Sequence, residues 1–389
     1  MKIKILIIGV LLTQQIAAQS YQKIHDDAIV VDTHNDILTQ TMEKGFVFDK
    51  DLNGLTHSDL ARWKQGGVDV QLFSVFCDGD KKNPFAFAIR QMDTLDAVVK
   101  RNPDKIIEVA DSKELFKAVQ QHKLAAMFGV EGGHMIEDDL NKLDYLYKRG
   151  ARYMTLTWNN STSWATSAFD ETFSKELKHK GLTDFGKQVV QRMNSLGMIV
   201  DISHVGEQTF WDVMNTSTKP VIASHSSVYN VCPTPRNLKD DQIKAIAKNG
   251  GVIQVNFYSG FLDSNYVKNK DAFIEKHKIE NDSLIKSGMI NFIAEGYLFT
   301  KYKNEVEMLR APLSLLIKHI EYIIQLVGVD YVGLGSDFDG ISSPPQQLDD
   351  VTTYPLITKS LDEKGYCKED ITKILGGNFL RVLKINEIK

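Results

Sequence analysis

Cysteine is scarce in this chain of 389 residues: there are three, Cys77, Cys232 and Cys367, and no Cys-x-x-Cys pair. At most one disulfide can form, the sequence does not choose its pair, and at least one thiol stays unpaired. Basic blocks are missing too. Lys and Arg number 46 against 50 Asp and Glu, a formal charge of −4, so nothing draws the chain to nucleic acid or to anionic lipid. There is no internal repeat and no low-complexity tract, and a composition of 43% hydrophobic and 25% charged residues excludes a disordered chain.

Long apolar runs are also lacking. The apolar Ile5 to Leu12, behind the basic Met1-Lys2-Ile3-Lys4 and ahead of the small Ala17-Ala18, is too short to span a bilayer and has the layout of a secretory signal peptide. Cleavage is expected after Ala18. No cysteine follows the apolar run to accept a lipid, and the end, Lys384 to Lys389, lacks the hydrophobic tail of a glycolipid signal. The expectation is an exported, periplasmic protein with no stable membrane anchor.

What is present is an alternation of short apolar runs and amphipathic stretches. Eight runs suit buried parallel strands: residues 29–32, 68–75, 124–130, 153–157, 198–202, 221–224, 251–256 and 331–335. Between them, 138–148, 183–195, 206–216 and 239–249 read as helices, with Gly197 and Gly250 as stops. Eight strands alternating with helices predict an α/β fold, a (β/α)₈ TIM barrel, as a single catalytic domain over 19–389. Residues 261–310 are polar and helix-like and are expected as an insertion. Residues 352–389 are expected to add helices outside the barrel.

Active groups in such barrels gather at the C-terminal strand ends, and here polar residues recur there. Val30-Val31-Asp32-Thr33-His34-Asn35-Asp36 ends in a His-x-Asp pair; in an extended strand residues two apart face one side, so His34 and Asp36 aim at one point. Glu131 follows the third run, His204 the fifth, His225 the sixth and Asp337 the eighth. Carboxylates clustered at one rim repel unless a cation neutralises them. Counting donors favours two ions, His34 and Asp36 on one, His204 and His225 on the other, Glu131 bridging. Imidazoles mixed with carboxylates suit zinc. Two Zn²⁺ would hold a shared water as hydroxide and polarise a carbonyl. Asp337 is then the proton carrier, the alternatives being that it is a sixth ligand or that Asp339 takes its place. Arg236 is a candidate for a substrate carboxylate. Tyr258 is a candidate for the pocket wall. His25, His57, His122, His179, His277 and His319 read as surface or capping residues.

Taken in order, Asp32 to Asp36, Gly129-Val130-Glu131-Gly132-Gly133, Asp201-Ile202-Ser203-His204, Ala223-Ser224-His225-Ser226-Ser227, Arg236-Asn237, Gly335-Ser336-Asp337-Phe338-Asp339-Gly340 and Gly376 to Val382 resemble the membrane dipeptidase family of zinc peptidases. The resemblance spans Asp32 to Val382. It implies an amidohydrolase-type barrel with a binuclear zinc centre that cleaves dipeptides, often with a D-residue at the C-terminal position. Residue by residue it implies the ligand set above, Arg236 on the substrate carboxylate and Asp337 on the proton. One position departs: where mammalian members have Leu-Thr-His, this chain has Leu156-Thr157-Trp158-Asn159-Asn160. Oxyanion stabilisation then falls to the metals, to Asn159 or Asn160, or to another residue. Besides a dipeptidase, an amidohydrolase acting on N-acyl amino acids or lactams, and a metal-binding protein without turnover, remain open. The expected partner is a dipeptide or small amide, and a homodimer is allowed for.

Overall fold

The computed structural model describes residues 21–289 and 291–388; the expected leader, residues 1–18, lies outside them. Nine strands among the described residues form one sheet: β1 Val31–Asn35, β2 Val70–Phe76, β3 Ile106–Glu108, β4 Leu124–Glu131, β5 Ala151–Thr155, β6 Ile199–Asp201, β7 Ile222–Ala223, β8 Val252–Val255 and β9 Val332–Leu334. The order is β1-β2-β4-β5-β6-β7-β8-β9, and every ladder is parallel. Eight of these strands correspond to the expected runs. The ninth, β3, pairs only with the first three residues of β4, Leu124 to Ala126, before β5 takes over at Phe128.

The ring closes between β9 and β1 through the parallel bridge of Asn35 with Phe338. The Asp337 N–H donates to the His34 carbonyl at 3.0 Å and the Asp36 N–H to the Phe338 carbonyl at 2.9 Å. The result is a (β/α)₈ barrel, as expected. Two seams are short, since β6 and β7 share one residue pair and β9 meets β1 only at the bridge. A buried aspartate ties each. Asp201 accepts from the Ser224 N–H at 2.8 Å and its hydroxyl at 2.6 Å, and Asp32 accepts from the Ser336 N–H at 2.8 Å and its hydroxyl at 2.6 Å.

Period-two alternation sorts each strand into two cores. On β4, Ala125 and Met127 join Val31, Leu72, Ile199, Ile222 and Val252 inside the barrel. Ala126, Phe128 and Val130 face the helices. Glu131 has the parity of Met127, so it arrives at the barrel axis. The helices follow expectation: Asp184–Leu196 and Asp240–Asn249 end at Gly197 and Gly250, both left-handed at φ +82° and +81°. The C-terminal helix, Asn378–Asn386, does more than cover the outside, because its Phe379, Val382 and Leu383 join the inner barrel cluster.

The stretch expected as an insertion is helical, with Tyr266–Lys276, Lys278–Lys286, Asn291–Lys301 and Lys303–Glu307. It has its own small core of Phe273, Leu298 and Val306, and ion pairs such as Lys276 with Glu305 at 2.7 Å.

Two histidines correct the surface assignment. His25 is buried between the Thr358 hydroxyl at 2.7 Å and the Gly66 carbonyl at 2.9 Å. His319 is buried as well, its Nδ1 accepting from the Val228 N–H at 3.0 Å and its Nε2–H donating to the Leu262 carbonyl at 3.1 Å. Burial lowers the His319 pKa to about 4, so the ring is a neutral cross-brace. All three cysteines are free, Cys77 and Cys232 buried and Cys367 exposed.

Candidate metal centre

His34 reaches the barrel axis by a device that the sequence conceals. The register steps from Asp32 opposite Gln71 to Asn35 opposite Phe73, so β1 carries one residue more than β2 over that span. Such a bulge re-aims the side chain beside it. His34 and Asp36 do meet, with Nε2 to Oδ2 at 3.5 Å, but because of the bulge rather than simple alternation. Asp36 occupies the position before helix Ile37–Lys44, where an aspartate ordinarily caps the helix; here its side chain makes no cap bond. Its Oδ1 is buried without any partner.

Each of three imidazoles is held by its Nδ1. The Tyr153 hydroxyl donates to the Thr33 carbonyl at 3.0 Å, so it accepts from His34 Nδ1–H at 2.8 Å. Residue 129 is glycine because the Tyr153 ring passes there, 1.9 Å from where a Cβ would stand. The Ser224 hydroxyl donates to Asp201, leaving its lone pair for His225 Nδ1–H at 2.7 Å. The Asn159 carbonyl oxygen faces His204 Nδ1 at 3.1 Å. With Nδ1 protonated in each ring, the three Nε2 atoms point inward.

They converge on Glu131. Its Oε2 lies 3.2 Å from His34 Nε2, while its Oε1 lies 3.0 Å from His204 Nε2 and 3.4 Å from His225 Nε2. The Ser74 hydroxyl donates to Oε2 at 3.2 Å. Candidate ligand atoms of His34, Glu131 and His225, and of His34, Asp36 and Asp337, lie within 4.8 Å of one another. The predicted ligands are therefore together, and Asp337 is beside them, its Oδ2 held by the Asn256 amide at 2.8 Å. Asp339, the alternative to Asp337, is occupied instead by the His57 N–H at 2.6 Å and the Ser58 hydroxyl.

The charges call for a cation. Burial works against an imidazolium at His34, yet Tyr153, Glu131 and Asp36 hold its pKa well above the ordinary value. Burial also works against an ionised Glu131, yet His34, His204 and His225 hold it well below the carboxylate range. Burial, with Asp36 and Glu131 adding to it, pushes Asp337 well up. Burial and the Arg236 charge lower His204 to about 4. The unprotonated nitrogens of His204 and His225, the shared carboxylates and the orphaned Asp36 oxygen fit a divalent metal ion, which would take the place of the His34 proton.

Arg236 stands at the rim. Its Nη1 donates to the Ser226 hydroxyl and its Nη2 to the His225 carbonyl, both at 3.1 Å, and its Nε is buried without a partner. Its guanidinium lies 5.2 Å over the Phe261 ring, which in turn stacks edge-on with Tyr258 at 5.0 Å. A cavity of about 250 Å³ opens beside Arg236 and His204. Trp158 packs 4.9 Å from Phe76 and 6.4 Å from His204. Tyr153 and Asn256 carry no motif signal in the sequence; Asp201 and Ser224 lie within the polar strand-end motifs, which assign them no role.

Residues 18–389 match the profile of the membrane dipeptidase family, peptidase family M19. The chain belongs to that family. It is similar to an uncharacterized dipeptidase of Schizosaccharomyces pombe, 34% identical over 399 residues that cover 96% of this chain and 84% of the relative. Among solved structures it resembles the probable dipeptidase PvdM from Pseudomonas aeruginosa, with a TM-score of 0.78 at 24% identity, covering 96% and 98% of the two chains. It also resembles a metallo peptidase from Rhodobacter sphaeroides liganded with a phosphinate mimic of the dipeptide L-Ala-D-Ala, with a TM-score of 0.74 at 22% identity, covering 93% and 100%. This membrane dipeptidase family member has no helix among its described residues long and apolar enough to cross a membrane.

Proposed function

We propose that this M19 family member is a binuclear zinc dipeptidase, exported after loss of residues 1–18, whose single barrel domain hydrolyses small dipeptides, including those with a C-terminal D-residue. One observation carries the two-ion reading: Glu131 divides its oxygens, Oε2 toward His34 and Oε1 toward His204 and His225. His34 and Asp36 would hold one zinc, His204 and His225 the other, with Glu131 shared. When bound, zinc supplies a Lewis acid for the scissile carbonyl and an acidified water.

The protein's own groups do the rest. Arg236, with a buried Nε free to donate, binds the free carboxylate of the dipeptide. Tyr258, edge-on to the Phe261 ring that lies under the Arg236 guanidinium, would line the substrate pocket on that side. Asp337, oriented by Asn256, takes the proton that water sheds on attacking the carbonyl carbon and gives it to the amide nitrogen as the C–N bond breaks. The mimic bound to the Rhodobacter relative supports a D-residue at the second position.

The test is direct. Purified mature protein is expected to carry close to two zinc ions, to cleave dipeptides such as Gly-D-Ala, and to lose that activity to a chelator. Zinc-loaded protein inert toward a broad dipeptide panel overturns the assignment.

A further inference from the structure

The three imidazoles around Glu131 are not held alike. His34 is braced by Tyr153, fully buried on β5, and His225 by a hydroxyl backed by the buried carboxylate of Asp201. Both braces belong to the barrel wall or its immediate end. His204 has neither. Its residue takes a left-handed backbone, φ +63°, and its Nδ1 meets only the Asn159 carbonyl oxygen, at 3.1 Å, from the segment after β5. That segment is pinned where it matters: the Ser167 hydroxyl donates to the Asn159 main-chain carbonyl at 2.7 Å, and Trp158 packs on the same imidazole at 6.4 Å.

We infer that Asn159 is a positioning residue that fixes the ring orientation and tautomer of His204, and so governs binding of the ion on the His204–His225 side. The inference rests on the two-ion reading above. An amide carbonyl oxygen can only accept, so it selects the ring form with Nδ1–H and leaves the Nε2 lone pair facing Glu131 Oε1 at 3.0 Å. Partners of this kind around metal-bound histidines are worth about 10–100-fold in metal affinity. Asn159 therefore acts through His204. The effect is one-sided, because Asn159 makes no hydrogen bond to His34 or Asp36.

Chelator-competition titration with zinc alone, on wild type and variants, tests this. Wild type is expected to bind two equivalents. Asn159→Leu, which keeps bulk but removes the acceptor, is expected to keep one equivalent at wild-type affinity and to weaken the other about 10–100-fold. Asn159→Asp, which retains an acceptor, is expected to rescue the second equivalent, and Ser167→Ala to weaken it to a smaller degree. Thermal unfolding of the apo forms separates misfolding from positioning: their Tm values are expected to agree. Two equivalents bound by Asn159→Leu as by wild type, or Asn159→Asp as weak as Asn159→Leu, overturn the role of Asn159 and leave the two-ion reading standing. A well-folded wild-type chain that takes up no zinc, or one equivalent only, overturns both.

Discussion

The Nε2 atoms of His204 and His225 face each other at 3.0 Å, with Glu131 Oε1 within 3.4 Å of both. Two imidazole nitrogens whose Nδ1 atoms are already hydrogen-bonded have no mutual attraction at that distance unless a proton or a cation lies between them. A ligand that binds the folded chain alone adds RT ln(1 + [L]/Kd), about 4 kcal/mol at a free concentration a thousand times Kd. Chelation is therefore expected to lower Tm, and added zinc to restore it in a concentration-dependent way. A Tm that ignores both treatments counts against a metal at this cluster.

Asp337 stands close to the ligands, but its Oδ2 is engaged by Asn256. Asp337→Asn is expected to keep its metal content and to lose about 10²–10⁴ in kcat, the usual share of a positioned acid–base group. Metal analysis beside steady-state kinetics checks it. Loss of one ion in this variant would make Asp337 a ligand instead.

Trp158 packs on Phe76 and His204 at the position where the family resemblance implies a histidine. A missing oxyanion donor costs about 10²–10³ in rate. Trp158→His is expected to raise kcat on Gly-D-Ala, read from initial rates at saturating substrate. An unchanged or lower kcat means that another group already fills the role.

Away from the site, burial pushes the Asp69 carboxyl up to about 6, against the pull of the Val30 N–H at 2.9 Å. Unfolded, the group titrates near its ordinary value of about 3.9. Between those values the folded chain binds more protons than the unfolded one, so stability falls as pH rises through this window. At about 1.4 kcal/mol per unit the loss is on the order of 3 kcal/mol, complete above the folded pKa. Asp69→Asn cannot ionise and keeps an acceptor for Val30. Its stability relative to wild type is expected to improve from pH 4 to pH 7 in denaturant unfolding. A difference that stays flat with pH removes this account.

How much of this was legible depends on the range of the information. The helix stops at Gly197 and Gly250, the eight barrel strands and the polar strand ends are local patterns, set by periods of 2 and 3.6 and by the freedom of glycine to turn left-handed. The three-residue β3 was missed because its only support is an edge of β4. His25 and His319 were misassigned because their partners lie 41, 333, 91 and 57 residues away, which no local window covers.

The sequence by itself determined the barrel and the identity of the residues at its rim, because strand parity delivers Glu131 to the axis and the motifs place His34, His204, His225 and Asp337 at the ends of the first, fifth, sixth and eighth barrel strands. Only the tertiary structure decided how those groups are aimed. The extra residue in β1 turns His34 inward, Gly129 clears a path for Tyr153, and Asn159 rather than a strand residue faces His204. Each is a contact between segments far apart in the chain, so its geometry exists only once the ring of strands has closed.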